Sequence, residues 1–314
     1  MHQITFFFDK LIGKSPLAAT LSAISFGLIF SLSFSLSGCA GISPQERNDS
    51  TPFVANRTPI RFLLTFDDGP AAGSLPSSTQ SILDDLSNNP LQPGIKAIFF
   101  LQTRASDAGG SMLGKKLMQR EYDDGHILAF HTATAGHSNH RFLEPAVFEQ
   151  SLEDGIADIR KVTGTAPVLV RPPFWSYDQR TFSAYQSHGL HILLTDLSAN
   201  DGKTWGINFS LRRRSSMLHQ LDDVKGRIAR GDLPVIDGCI PVVVTFHDIN
   251  SYTARHMQEY LQILQDSARE LGLPTTTKPF YDQRSDVERA AIGRSITDPT
   301  QKVKLPGLWN WIWN

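Results

Sequence analysis

Cysteine is scarce in this sequence: Cys39 and Cys239 are the only two among 314 residues. A framework of disulfides is therefore excluded, and the fold has to rest on a hydrophobic core or on a metal. A dominant charge is missing too. With 30 Lys and Arg against 31 Asp and Glu, the formal net charge is -1, so no overall field would draw the chain to nucleic acid, and no nucleic-acid partner is expected. The one basic run, Arg212-Arg213-Arg214, is too short to build a patch and reads as a solvated loop. Internal repeats are absent as well. The composition, 40% hydrophobic and 19% charged, is that of an ordinary globular protein, long enough for one large domain or two small ones.

What is present begins with an apolar run. Leu17 to Leu36 follows Lys10 and Lys14 and ends in Leu36-Ser37-Gly38-Cys39, the order of a secretory signal: basic start, apolar centre, small residues. LSGC resembles a bacterial lipoprotein box, which implies cleavage after residue 38, a lipid on Cys39 that holds the chain to a membrane, and a place in the bacterial cell envelope facing the periplasm or the exterior. The competing reading is an uncleaved anchor, because the segment is nearly long enough to span a bilayer. Both readings put the remainder outside the cytoplasm. If Cys39 carries lipid, Cys239 is left without a partner and reads as a small buried hydrophobe.

The rest divides into a polar tether to residue 60, a folded domain over 61–275 and a polar tail over 276–314 that ends in LWNWIWN. Trp309, Trp311 and Trp313 there alternate on one face, a pattern that suits core packing or edge pairing as well as sugar stacking or membrane contact. Within the domain, apolar runs predict strands at Arg61–Phe66, Lys96–Gln102, His126–His131, Val168–Arg171, His191–Leu197 and Val242–His247. Helical spacing lies between them: Phe148, Leu152, Ile156 and Ile159 recur at three or four residues, as do Met257, Tyr260, Leu261, Leu264 and Ala268. Strands alternating with helices make an α/β fold with a parallel sheet, a barrel or a doubly wound sheet.

The chemistry-bearing residues cluster at one end of that sheet. Asp67-Asp68, His131, Arg171, Asp196 with Asp201, and His247-Asp248 all fall at the C-terminal ends of predicted strands, the face on which parallel α/β folds carry their sites. The adjacent carboxylates of LLTFDDGP pose a question. Asp-Gly-Pro is good turn chemistry, but two acids at the tip of a buried strand repel each other unless a cation neutralises them. His131, His137 and His140 supply imidazoles. An Asp with two His leaves positions open for water and substrate, the coordination of a hydrolytic metal centre, with zinc the expected occupant and Co2+ or Ni2+ the other candidates. Arg171 suits the orientation of a carboxylate, and His247, ending an apolar strand, suits a general acid.

These stretches carry a resemblance. TFDDGP, KAIFFL (Lys96–Leu101), GHILAFHT (Gly125–Thr132), RPPFW and TFHD look like the five ordered motifs of the polysaccharide deacetylases, the NodB-homology domain of carbohydrate esterase family four. The resemblance implies a distorted (β/α) barrel of seven units. It implies Asp67 as catalytic base, Asp68 and His131 as metal ligands, Arg171 as the group that orients the base, the Phe174 backbone N–H as an oxyanion donor and His247 as general acid. The residues that follow His137 resemble the family's run from its second histidine into the next helix, so His137 is the expected third ligand. Ala135-Gly136 would absorb the longer spacing, Gly through its backbone freedom. His140 is then at most a contact to the ligands or the substrate.

The chain also departs from the pattern. His131 and His137 stand six apart rather than four, Trp175 replaces a Gly, TDLSAND lacks Trp but keeps Asp196 and Asp201, and Thr245 stands where a pocket-lining Leu is common. Asp201 joins Asp67, Arg171 and His247 as a catalytic candidate; Phe174, Trp175, Asp196 and His140 are the candidates for substrate contact. The implied activity is removal of N-acetyl groups from an N-acetylglucosamine-containing glycan (peptidoglycan, chitin-like or exopolysaccharide) to give acetate and a free amino sugar. An esterase on O-acetyl groups, a small-amide hydrolase and a non-catalytic tethered carbohydrate binder are the alternatives.

Overall fold

The computed structural model describes residues 58–73, 75–201, 213–300 and 305–306. The apolar segment Leu17–Leu36, Cys39, Arg212 and the three tail tryptophans lie outside them. The described chain is a parallel α/β half-barrel. Its strands are β1 (Ile60–Asp67), β2 (Ile98–Gln102), β3 (Ile127–Thr132), β4 (Leu169–Val170), β5 (His191–Ile192), β6 (Leu197–Ser198), β7 (Ile240–His247) and β8 (Thr275–Phe280). They lie in the order β5-β4-β3-β2-β1-β7-β6, with β8 paired to the start of β1. The helices are α1 (Ser78–Ser87), α2 (Met112–Asp123), α3 (Pro145–Thr163), α4 (Gln179–Ser187), α5 (Arg213–Ala229), α6 (Ser251–Arg255), α7 (Met257–Glu270) and α8 (Arg284–Arg294).

The period-two alternation of a strand sorts the core into two faces. Phe62, Leu64 and Phe66 of β1 share one face with Phe99, Leu101, Phe130, Val242, Val244 and Phe246, packed against the buried stripes of the surrounding helices, including Leu152, Ile156, Leu261 and Leu264. Leu63 faces the other way, with Phe100, Ala129, Leu169 and Val243. Helix α8 covers that second face through Val287, Ala290 and Ala291. The folded core therefore continues past residue 275, into the stretch expected to be a polar tail: β8 joins the sheet, Phe280 is fully buried, and the Ile296 amide bonds the Ile192 carbonyl (2.9 Å). Cys239 is a free, buried thiol of the same inner cluster.

Two further expectations are corrected. The predicted strand His191–Leu197 is two short strands, because the chain between them spends its backbone groups elsewhere: the Leu193 and Leu194 carbonyls accept from the Arg171 guanidinium (2.9 and 3.1 Å). The described part of the basic run is helical rather than a loop, with Arg213 paired to Glu259 and Arg214 to Glu270 at the surface.

Candidate metal centre and active site

Register places the first pair of functional residues. β1 and β7 run side by side without a slip from Ile60↔Ile240 to Asp67↔His247, so the two strands deliver a carboxylate and an imidazole next to each other at their C-terminal ends. Asp67 shares the face of Leu63 and Thr65 by alternation, and it is almost fully buried. Its cation is Arg171, itself inaccessible to solvent, whose Nη1 donates to Asp67 Oδ1 (2.8 Å) and to Thr65 Oγ1 (2.6 Å). With Nε and Nη2 on the two leucine carbonyls, and the guanidinium carbon 4.3 Å from the Phe100 ring centre, Arg171 has no freedom to leave. A buried charge pair whose guanidinium is bonded at Nε, Nη1 and Nη2 is a rigid orienting device.

Asp68 turns the other way. Its φ of 72° is left-handed, a conformation that costs an ordinary residue of order 1–3 kcal/mol. That single dihedral separates the two neighbouring acids: Asp67 stays with Arg171, while Asp68 Oδ1 stands 3.2 Å from the Nε2 atoms of both His131 and His137. The next residue must be Gly, since a Cβ on Gly69 would lie 2.1 Å from Asp248 Oδ2. Asp248 is buried and accepts from the Thr79 hydroxyl (2.5 Å), which accepts in turn from the Ala71 amide (2.7 Å), so the loop after β1 is tied down. Burial and the nearby Asp68 charge raise the Asp248 carboxyl to about 7, against the lowering by Thr79.

His131 is aimed by a bulge. β2 and β3 pair Leu101 with Phe130 and then Gln102 with Thr132, leaving His131 as the extra residue of its strand, a device that redirects a side chain next to a site. Its Nδ1 donates to the Arg171 carbonyl (2.7 Å), which leaves Nε2 bare. His131 Nε2 and His137 Nε2 are 3.0 Å apart. Burial, the first cause, together with His131 and His247 lowers His137 to about 4 despite the pull of Asp68, so its imidazole is neutral. Burial alone would raise the Asp68 carboxyl; the three imidazoles of His131, His137 and His247 outweigh it and hold Asp68 well below the usual range.

Three donor atoms thus stand 3.0–3.2 Å apart, and Asp68 Oδ1 is buried without a well-formed hydrogen bond despite its two imidazole neighbours. Ligands about 2.0–2.1 Å from one zinc ion lie roughly 3.0–3.4 Å from each other, so the triangle fits a single divalent ion, and a carboxylate with two imidazoles is a zinc-type donor set. Among the described residues this is the one group of three or more such side chains that could hold a metal.

His247 closes the other side. Its Nδ1 donates to Asp201 Oδ1 (2.8 Å) and its Nε2 is 3.9 Å from Asp68 Oδ2. Asp201 is itself buried and held by the His247 amide (2.9 Å) and the Thr253 hydroxyl (2.5 Å). Burial lowers His247, but Asp201 and the further acids Asp68 and Asp67 overcome it and push the imidazole up to about 10. Phe174, with φ of 60°, lays its ring 4.4 Å from that of His137 and is 37% exposed.

The structure does not bring every candidate to the site. Asp196, expected near the substrate, is buried and occupied: Arg227 and Arg294 both bind Oδ1 (2.6 and 2.7 Å), and the Val243 amide binds Oδ2 (2.8 Å). It bridges helices α5 and α8 to the sheet. His140, also expected as a contact, lies in the core, 2.6 Å from the Tyr185 hydroxyl and stacked on Phe130, and burial lowers it to about 3. Trp175 is likewise a core residue. Thr245 is fully buried, its hydroxyl 3.2 Å from that of Thr65. Gly136 does not use left-handed freedom; the loop before His137 is turned by Thr134, whose hydroxyl lies 3.0 Å from that of Thr132 and donates to the Gly136 carbonyl. Sequence reasoning missed Thr65 and Thr253, the hydroxyls that complete the Arg171 and Asp201 networks. A Thr inside the apolar run of β1 was the available sign for the first.

The fold and site together define an α/β half-barrel with a carboxylate-bis-imidazole centre at the strand ends. Residues 55–193 match the polysaccharide deacetylase family. It is 30% identical over 184 residues to a chitin deacetylase of Pestalotiopsis sp, covering 56% of this chain and 57% of that one. It is 25% identical over 252 residues to the peptidoglycan-N-acetylglucosamine deacetylase of Listeria monocytogenes serotype 1/2a (strain 10403S), covering 78% of this chain and 42% of the relative. The chain thus spans about half the length of these relatives. The solved chitin deacetylase of Colletotrichum lindemuthianum shares the fold, with a TM-score of 0.50 at 21% identity over 70% of this chain and 86% of that one.

Proposed function

We propose that the protein is a metal-dependent deacetylase that hydrolyses N-acetyl groups of an N-acetylglucosamine-containing glycan, giving acetate and a free amine. The observation that carries this reading is the triangle of Asp68, His131 and His137 donors, flanked by the Asp67–Arg171 pair on one side and the His247–Asp201 pair on the other. A divalent ion in that triangle, zinc by its donor set, would supply the positive charge that polarises an acetamide carbonyl and acidifies a water. Asp67, pinned by Arg171, takes the proton that the attacking water loses. The Phe174 backbone N–H is assigned to the developing oxyanion. His247, protonated and oriented through Nδ1 by Asp201, gives its Nε2 proton to the departing nitrogen as the C–N bond breaks.

The same reading makes LSGC the site of lipid attachment through Cys39 and places the enzyme in a bacterial envelope, where an acetylated glycan is the substrate. No helix among the described residues is long and apolar enough to cross a membrane. Two measurements test the assignment. Zinc-loaded protein should release acetate from N-acetylglucosamine oligomers or peptidoglycan; release from acetylxylan alone would replace the amide by an ester. Asp68→Asn should lose both metal and turnover, whereas Asp67→Asn should keep the metal and lose turnover by at least about 100-fold. Normal metal content in both variants would sink the division of roles.

A further inference from the structure

Asp248 follows His247 directly, yet no step of the hydrolysis uses its side chain. It is closed to solvent, and its carboxyl lies flat on the backbone of Gly69, the residue after the ligand Asp68: a Cβ there would stand 2.1, 2.2 and 2.5 Å from Oδ2, Oδ1 and Cγ. Thr79, fully buried in the first turn of α1, donates its hydroxyl proton to Asp248 Oδ2 (2.5 Å) and accepts from the Ala71 amide (2.7 Å). Ser77, the N-cap of that helix, donates to the Ala71 carbonyl (2.7 Å), and the Gln102 amide of β2 donates to the Gly69 carbonyl (2.9 Å). Asp248 Oδ1 is buried without a hydrogen-bond partner, so Thr79 is the side chain that fixes the rotation of the carboxyl.

The left-handed φ of Asp68, 72°, persists only where the surrounding structure imposes it. On its N-terminal side the constraint is the slip-free pairing of β1 with β7, which ends at Asp67↔His247. On its C-terminal side the constraint is this set of bonds. The Thr79–Asp248 bond is the one that reaches back to the strand of His247, and it closes a ring of contacts from β7 through the start of α1 and Ala71 to Gly69. Without the hydroxyl, both oxygens of the Asp248 carboxyl would be buried and unpaired, a state that proteins relieve by moving backbone. The backbone against that carboxyl is Gly69, and its movement carries Asp68 Oδ1 away from the two imidazole nitrogens 3.2 Å from it.

We propose that Thr79 and Asp248 are positioning residues for the metal ligand Asp68, and that the hydrogen bond between them holds the turn that presents Asp68 to His131 and His137. This rests on the metal site described above. The test measures zinc affinity by chelator competition and the visible absorption bands of the Co2+-loaded protein, on folded samples of wild type, Thr79→Val, Thr79→Ser, Asp248→Ala and the Thr79→Val/Asp248→Ala double variant. Thr79→Val, close to isosteric, should weaken zinc affinity about 10- to 100-fold and shift the Co2+ bands, and Thr79→Ser should restore both. Asp248→Ala reads the same bond from its other end should Thr79→Val not fold, and the double variant should lose no more affinity than the worse single one. Leu86→Ala, a core change at the far end of α1, should lower the melting temperature and leave affinity and bands unchanged. Wild-type affinity and bands in folded Thr79→Val, additive losses in the double variant, or an equal loss in Leu86→Ala would overturn the proposal. A wild type that binds zinc but releases no acetate would remove the deacetylase reading and leave this inference standing; a wild type that binds no ion would remove the metal site and the inference together.

Discussion

Asp67 and Asp68 are neighbours that a single backbone dihedral sends to different partners, and that separation is what allows one to meet a guanidinium and the other two imidazoles. The histidines divide by burial in the same way. His137→Ala should lose most bound zinc, while His140→Ala should keep the ion and instead lower stability by about 2–4 kcal/mol through a core cavity; inductively coupled plasma metal analysis beside denaturant melts reads both, and the reverse ranking would refute the assignment. His247 carries a pH prediction. Its folded pKa of about 10 lies above the ordinary 6.5, so the Asp201 pairing stabilises the fold fully below pH 6.5 and that contribution is lost as pH rises through about 10. Asp201→Asn removes the chief raising charge. The alkaline limb of the kcat profile should move to lower pH and kcat should drop by about 100-fold or more; an unmoved limb would show that Asp201 does not set the protonation of His247.

At the scale of elements, the site depends on how β3 meets α3. The bulge that turns out His131 follows directly on Phe130, and Gly155 of α3 packs on that ring so closely that a Cβ there would lie 2.2 Å from Phe130 Cε2. Gly155→Ala gains about 1 kcal/mol of helix propensity but overpacks the contact, which typically costs about 1–3 kcal/mol and more when the neighbour is an aromatic ring held by a sheet. The expected net result is a destabilisation of about 1–2 kcal/mol in chemical denaturation, with weakened zinc affinity because Phe130 adjoins the ligand; a more stable variant with unchanged affinity would contradict it. The helix itself was legible in the sequence from Phe148, Leu152, Ile156 and Ile159, and Pro145 at its start and Gly164 (φ 78°) at its end mark its limits. The bulge was not, because an extra residue in a strand shows only against its neighbour's register.

For the whole molecule, the decisive segment is 275–296. β8 pairs with β1, α8 covers the inner face of the sheet, and Arg294 of α8 holds the Asp196 carboxylate (2.7 Å). Burial of each large apolar side chain is worth about 1.5–3 kcal/mol, and a domain has only about 5–15 kcal/mol in total, so a chain ended at residue 274 should not fold. The expected outcome is loss of the cooperative thermal transition and rapid proteolysis; a truncated protein that melts like the full chain would show that the inner face is closed by something else.

By itself the sequence determined the parallel α/β class, the strand ends that carry polar residues and a donor set of Asp67, Asp68, His131, His137 and His140, because alternation, apolar runs and donor chemistry are local properties of the chain; the narrowing to Asp68, His131 and His137 came from the family resemblance. Only the tertiary structure decided that His140, Asp196 and Trp175 serve the core and its ion pairs, and that the tail's first half is a strand and a helix of the barrel. Those outcomes depend on which distant group fills the space beside each residue: Tyr185 for His140, Arg227 and Arg294 for Asp196, the exposed inner face of the sheet for Val287 and Ala291. Spacing along the chain does not encode that.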